Sequence, residues 1–291
     1  MYAELFSIIA PVLVCAGIGY GWARFGRAFD VEFVTTLITN IATPCLVFHT
    51  LANLSLDASA VGVISAAAVA MLAVCAAISA LVLRLSGLSL RAFLPALTFP
   101  NTGNMGLPLC FLAFGDAGLA LAVGVFAVCA VGQLTIGATI ASGAASFRDL
   151  ARLPIVYAVA IALVFLATGA QPPEWINATT KLLGGITIPM MLITLGVSLS
   201  RLSVRRAGRA AWLSVLRLAM GFAVGVAIAW VLDLEGAARG VMVLQSAMPV
   251  AVLNYLFAQR YQTAPEEVAG MVVLSTVLSF ASLPLLLLYV L

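Results

Sequence analysis

Residues 97–108 read LTFPNTGNMGLP, an apolar run broken by a proline and followed at once by two asparagines, a threonine and two glycines. Proline removes one backbone donor and frees a carbonyl one turn earlier, and glycine makes a following break cheap. A second stretch, LQSAMPVAVLNY at 244–255, repeats the theme: Pro249 lies among Gln245, Ser246 and Asn254. Unpaired backbone at membrane depth is tolerated only where protein or a water-filled cavity surrounds it. Paired interruptions in corresponding helices of two halves are the best sequence pointer to a binding site at the bilayer midplane.

Composition sets these stretches in a membrane. The chain has 291 residues, 64% hydrophobic and 9% charged, whereas soluble domains carry roughly 25% charged residues. So few charges do not cover a water-facing surface, and most of this one must face lipid. A helix needs about 20 apolar residues to cross the hydrocarbon core. Such runs predict ten spans, at 5–23, 31–53, 59–83, 91–114, 117–141, 152–169, 174–199, 210–232, 238–259 and 266–290. The first, MYAELFSIIAPVLVC onward, lacks a basic leader and a small-residue cleavage site, so it reads as a span and not a signal peptide.

The basic residues sort by loop. Arg24 and Arg27 follow the first span, Arg84 and Arg91 the third, and Arg148 and Arg152 the fifth; Arg201, Arg205, Arg206 and Arg209 follow the seventh, and Arg260 the ninth. Links after even-numbered spans hold Asp57, Asp116, Glu174, Asp233 and Glu235 with only Arg239. Positive loops stay cytoplasmic, which predicts a multi-pass cell (inner or plasma) membrane protein with both termini on the non-cytoplasmic side. Trp22, Trp175, Trp212 and Trp230 fall near predicted helix ends, where an indole suits the headgroup layer.

Five spans per half make any duplication an inverted one, with a first repeat over 1–145 and a second over 146–291. Helix 2 carries IATPCLVFHTL and helix 7 carries ITIPMMLITLG, while helix 4 pairs with helix 9 through the stretches above. Pro11 pairs with Pro154, Pro44 with Pro189 and Pro100 with Pro249 at a nearly constant offset. The expected fold class is an all-α membrane protein of ten helices in two inverted repeats.

A broken helix presents free N–H groups and a positive dipole end at its gap. Two crossed half-helix N-termini would hold a carboxylate without lysine or arginine. Candidate binding residues at the first interruption are Pro100, Asn101, Thr102 and Asn104; at the second they are Gln245, Met248, Pro249, Val250 and Asn254. Gln133 is placed to face them, and Val47, Phe48, Ile188 and Met191 would supply apolar walls. The predicted partners are a small anionic carboxylate and the lipid bilayer, with no nucleic acid, because no basic run is dense enough to grip one.

Several residues admit two readings. His49 is either a proton carrier for coupling or a packed, hydrogen-bonded side chain. Arg217, two turns into helix 8, is read as snorkelling to the interface, and Lys181 as doing the same or attracting anions. The five cysteines all lie in apolar stretches and read as small hydrophobes.

Absences exclude other classes. One histidine, no metal-ligand cluster, no nucleophile elbow and no phosphate loop argue against an enzyme, a metal site or a cofactor. The interiors of helices 3, 4, 5, 8, 9 and 10 hold no Asp or Glu, which argues against sodium–proton exchange. Sodium or proton coupling stays open, since carbonyls and amides alone can hold sodium. The remaining alternatives are a sodium- or proton-coupled symporter of the bile-acid type and a non-transporting channel or receptor-like protein.

Taken together, PNTGNMGLPL with FGDAG, IPMMLITLGVSL, and QSAMPVAVLNYLFAQRY with LSTVLS resemble the auxin efflux carrier family, which includes plant PIN-type auxin exporters and bacterial carriers of malonate and malate. The resemblance covers nearly the whole chain. It implies a fold similar to bile-acid symporters and sodium–proton antiporters. Helices 1, 2, 6 and 7 would form a homodimerising scaffold, and helices 3–5 and 8–10 a mobile domain moving by an elevator-type mechanism around broken, crossing helices 4 and 9. The family's crossover prolines fall on Pro100 and Pro249, and its helix 4 asparagine on Asn101. Many relatives place an asparagine four residues after the helix 9 proline; here Leu253 stands there and the amide is Asn254, a rotation of about 100° on a helix. The short link SFRDLAR stands where plant exporters have a long loop.

Overall fold

A computed structural model describes residues 2–53, 58–143, 154–168, 170–202 and 207–291. The link after helix 5 with Arg148 and Arg152, the pair Arg205 and Arg206, and Asp57 lie outside the described residues.

Among the described residues the fold is helical throughout, with no strand. In chain order the helices are α1 (Tyr2–Arg24), α2 (Val31–Leu37), α3 (Thr43–Ala52), α4 (Ala58–Leu85), α5 (Leu90–Thr98), α6 (Leu107–Gly132) and α7 (Ala138–Ser142). They continue with α8 (Pro154–Thr168), α9 (Glu174–Gly185), α10 (Thr187–Arg201), α11 (Ala207–Val231), α12 (Gly236–Ser246), α13 (Val252–Arg260) and α14 (Pro265–Val290).

Among the described residues seven segments are long and apolar enough to cross a membrane: Leu5–Arg24, Val31–Ala52, Ser59–Leu85, Thr102–Ser142, Glu174–Arg201, Ala207–Val231 and Pro265–Val290. The difference from ten expected spans has a physical origin. The helices α5, α12 and α13 are each too short to cross alone, α8 has only 15 residues, and the GDAG junction leaves one continuous 41-residue segment. That segment departs from helical geometry at Gly115, where φ is 63° and ψ is −152°. Outward faces carry large apolar side chains, among them Phe6, Leu81, Leu182, Trp230 and Leu285, each more than half exposed. This is the surface that a hydrocarbon solvent requires.

The prolines act where their missing donor costs least. A widened π-helical turn over Ile38–Ala42 precedes Pro44, which falls in the first turn of α3. A second π turn over Thr102–Gly106 precedes Pro108 in the first turn of α6. Each π turn runs on without a break into the helix that follows, and its widening accommodates the proline's missing donor and ring inside a continuous helix. Ordinary caps start the short pieces: Asp30 Oδ1 accepts from the Phe33 amide at 2.9 Å, and Ser89 Oγ from the Ala92 amide at 3.4 Å.

Both interrupted stretches lie deep in the protein, with residues 95–102 all buried. Residues 241–250 are buried without exception. Helix α11 reaches them through Gly221 and Gly225: a Cβ at Gly221 would overlap the Ser246 carbonyl oxygen, and one at Gly225 would press on the Ser246 side chain. A small-xxx-small pair of this kind lets membrane helices approach to backbone contact.

Candidate functional site where two broken helices meet

Helix α5 ends at Thr98, and Phe99 is extended (φ −98°, ψ 106°). Helix α12 ends at Ser246, and the chain is extended again at Ala251 (φ −68°, ψ 138°) before α13 starts. The two gaps meet. Pro100 and Val250 form an isolated antiparallel bridge, in which the Asn101 amide donates to the Pro249 carbonyl at 2.8 Å. The Thr102 amide donates to the Pro100 carbonyl at 2.8 Å, and with Asn101 at φ −77°, ψ 62° this closes an inverse γ-turn. The Val250 amide is held by Ser275 Oγ of α14 at 3.0 Å. Backbone groups freed by the two breaks therefore satisfy one another and a neighbouring hydroxyl, as burial requires.

A cavity of about 390 Å³ opens on one side of this junction, a size suited to a small organic molecule. Pro100, Asn101, Thr102, Asn104, Gln133 and Met191 line it, all of them anticipated, together with Ala251, Val252 and Leu253. Leu253 thus faces the cavity. Asn254 beside it is buried, donating from Nδ2 to the Phe99 carbonyl at 3.2 Å and accepting on Oδ1 from Gln133 Nε2 at 3.0 Å. Its amide ties α13 to the opposite break and to the wall of the cavity.

The other anticipated residues sit elsewhere. Met248, Pro249 and Val250 are buried behind the junction. Gln245 is fully buried, its amide packed where a Cβ on Gly106 would stand, and neither its oxygen nor its nitrogen has a partner. Val47 and Phe48 are buried away from the cavity lining, Phe48 standing edge-on to Phe165 at 5.8 Å, and Ile188 is likewise outside the lining. His49 lies outside it too, with Nδ1 3.4 Å from Asn53 Nδ2, which also donates to Asn177 Oδ1 at 2.8 Å. Lys181 is exposed.

Arg217 departs most from its expected place. It does not snorkel: it is fully buried. Its Nη1 donates to the Leu97 carbonyl at 2.8 Å, its Nη2 to the Ser246 carbonyl at 2.6 Å, and its Nε lies 3.4 Å from the Met248 carbonyl.

The cavity also has polar residues that sequence reasoning passed over. Thr35, Thr39 and Thr43 descend one face through α2 and α3, opposite Thr194, Ser198 and Arg201 of α10. Both sets recur at i, i+4 or nearly so, the spacing of one helix face, and that periodicity was the available signal. Among the described residues that line the cavity, three buried polar atoms from three elements have no partner: Thr43 Oγ1, Asn101 Nδ2 and Thr194 Oγ1. Asn101 Oδ1 is engaged by the Asn104 amide at 3.2 Å, which leaves the donating end of its amide free. Among the described residues no Asp or Glu lines the cavity, and its one charged residue is Arg201, whose Nη2 donates to the Phe29 carbonyl at 2.6 Å. The lining thus offers hydroxyl and amide groups and one guanidinium, and no carboxylate among the described residues.

The sequence of this helical chain has counterparts. A family model described as membrane transport protein matches residues 5–148 and 138–287. The chain belongs to that family, the one the motifs resemble. An uncharacterized transporter of Methanocaldococcus jannaschii is 23% identical over 295 residues, spanning 94% of both chains. Another uncharacterized transporter, from Methanothermobacter thermautotrophicus, is 28% identical over 191 residues, 64% of this chain and 63% of its own. The protein is a multi-pass membrane transporter and not an enzyme.

Proposed function

We propose that this transporter is a secondary carrier of a small organic anion, an auxin-like monocarboxylate or a dicarboxylate such as malate or malonate. The anion sits between the junction of the broken helices and the threonine-bearing face of α2, α3 and α10. The single observation behind this reading is the trio of buried, unpartnered polar atoms on Thr43, Asn101 and Thr194. A buried donor without an acceptor costs about 1–3 kcal/mol, and a bound carboxylate removes that cost at all three places. The opening amides of α13, which lack intrahelical acceptors, add a positive dipole end at Val252 and Leu253. Phe126, Leu134 and Met191 suit the hydrocarbon part of the substrate.

In this reading the chain is ten spans in two inverted halves, with both termini on the non-cytoplasmic side. Helices 3–5 and 8–10, which bear the junction, move against a dimerising scaffold of helices 1, 2, 6 and 7 to expose the cavity alternately. A thermal-shift screen of the purified protein against organic acids tests the substrate class, because a ligand that prefers the folded state raises apparent stability. A carboxylate that raises the melting temperature while its neutral amide does not is the expected result; stabilisation by neutral or cationic solutes alone would overturn it.

A further inference from the structure

The inference rests on the carrier reading above and concerns what accompanies the anion. Among the described residues two charged side chains are buried, Arg217 and Glu267. Glu267 has its counter-charge, lying 3.0 Å from Arg209. Arg217 has none. An uncompensated buried charge costs several kcal/mol after relaxation, so what surrounds the guanidinium must repay that cost. What surrounds it is backbone: the carbonyls of Leu97, Ser246 and Met248, with Cys75 Sγ at 3.9 Å from Nη1.

These carbonyls have a particular address. Leu97 is in the last turn of α5, and Ser246 ends α12. Both helices therefore point their negative dipole ends, each equivalent to roughly half a charge, at one guanidinium. In carriers built on broken helices, unwound carbonyls and half-helix C-terminal ends are the groups that coordinate a coupling cation. Here a side chain from a third helix holds that place, seated by the close approach of Gly221 to Ser246.

We propose that Arg217 is a resident counter-cation: tethered between the carbonyl ends of the two broken helices, it does the work of a bound metal cation, so that this carrier binds its anion without sodium. It acts as a positioning residue. It fixes the C-terminal ends of α5 and α12, and through the 2.8 Å bond between the Asn101 amide and the Pro249 carbonyl it holds the gap that presents Asn101 to the cavity. It also cancels the negative ends that would otherwise oppose an anion nearby.

The test uses the full-length protein in detergent, with whichever of malonate, malate and indole-3-acetate stabilises it most as the probe. Wild-type affinity should be the same in sodium and in choline chloride at matched ionic strength. Arg217→Met keeps an apolar stem and loses the charge; its affinity should fall by about tenfold or more. Millimolar guanidinium, but not equimolar choline, should restore much of the loss, a response that a purely structural role would not give. Arg217→Lys should bind better than Arg217→Met. Sodium-dependent binding by the wild type, or unaltered affinity in a folded Arg217→Met, overturns the proposal. If Arg217→Met does not fold, the wild-type salt comparison and Arg217→Lys decide. If no probe binds in any salt, the carrier reading fails, and selective thermal rescue of Arg217→Met by guanidinium still decides the role of Arg217.

Discussion

The main-chain amide of Asn101 donates to the carbonyl of Pro249 at 2.8 Å, which joins two helices at the point where each is broken. Both partners are products of proline: one follows Pro100, and the other is the carbonyl of Pro249 itself. The bond lets a pair of interruptions lie buried without orphaned backbone, and it aims the Asn101 side chain into the cavity. The substitutions below separate the parts of this arrangement.

Asn101 serves two purposes that substitution divides. Its Oδ1 accepts the Asn104 amide, and its Nδ2 is free. Asn101→Asp keeps the acceptor and places negative charge where an anion would bind. Anion-induced thermal stabilisation should vanish in Asn101→Asp, and its unliganded melting temperature should fall, because the new carboxylate is buried without a counter-charge. Asn101→Ala should lose the cap as well, at about 1 kcal/mol. Retained binding in Asn101→Asp contradicts the assignment.

Gln133 and Asn254 form a buried pair at 3.0 Å. Gln133→Leu leaves Asn254 Oδ1 without a donor and should cost about 1–3 kcal/mol of stability. Replacing both residues by Leu should cost less than the sum of the single changes, because they share one network. Denaturation of the single and double variants measures this; strict additivity would show that the pair does not act as a unit.

Gly221 marks the close approach of α11 to the end of α12, and its missing Cβ leaves room for the Ser246 carbonyl. Gly221→Ala should destabilise by about 1–3 kcal/mol, the range for overpacking. A Cβ at Gly17 of α1 would meet nothing within 4 Å, so Gly17→Ala should be neutral or slightly stabilising. Melting temperatures of the two variants compare them directly.

Arg201 lines the cavity on the side of α10, largely exposed. A charge in that position attracts an anion through solvent, where salt screens it over about 10 Å at 0.1 M. Arg201→Gln should weaken affinity by only a few fold at low salt, and the difference from wild type should shrink as ionic strength rises. A loss that is large and insensitive to salt would place Arg201 in direct contact with the substrate instead.

Much of the fold was legible because its signals are local. Hydropathy located the apolar segments, and Pro100, Pro249 and the neighbouring glycines marked both breaks within a few residues of their positions. The shift from Leu253 to Asn254 was also legible as a rotation on a helix, and Leu253 lines the cavity while Asn254 does not. Tertiary facts were not legible. Hydropathy places Arg217 along its helix but says nothing of what that helix face meets, and the carbonyls that neutralise it come from two distant segments. Thr35, Thr39 and Thr43 escaped notice because threonine barely lowers a hydropathy average, although their spacing puts them on one face. Gln245 had the right chemistry and the wrong direction, packing on Gly106 rather than opening to the cavity.

Counterflow in proteoliposomes tests the central claim most directly. Vesicles containing the purified protein are loaded with unlabelled malonate, then presented with trace labelled malonate or its uncharged diamide outside. The account predicts transient, saturable accumulation of malonate in wild-type vesicles, none with Asn101→Asp, and none of the diamide with either. Equal accumulation of the diamide, or undiminished malonate counterflow by Asn101→Asp, would contradict an anion held by donors at the helix junction.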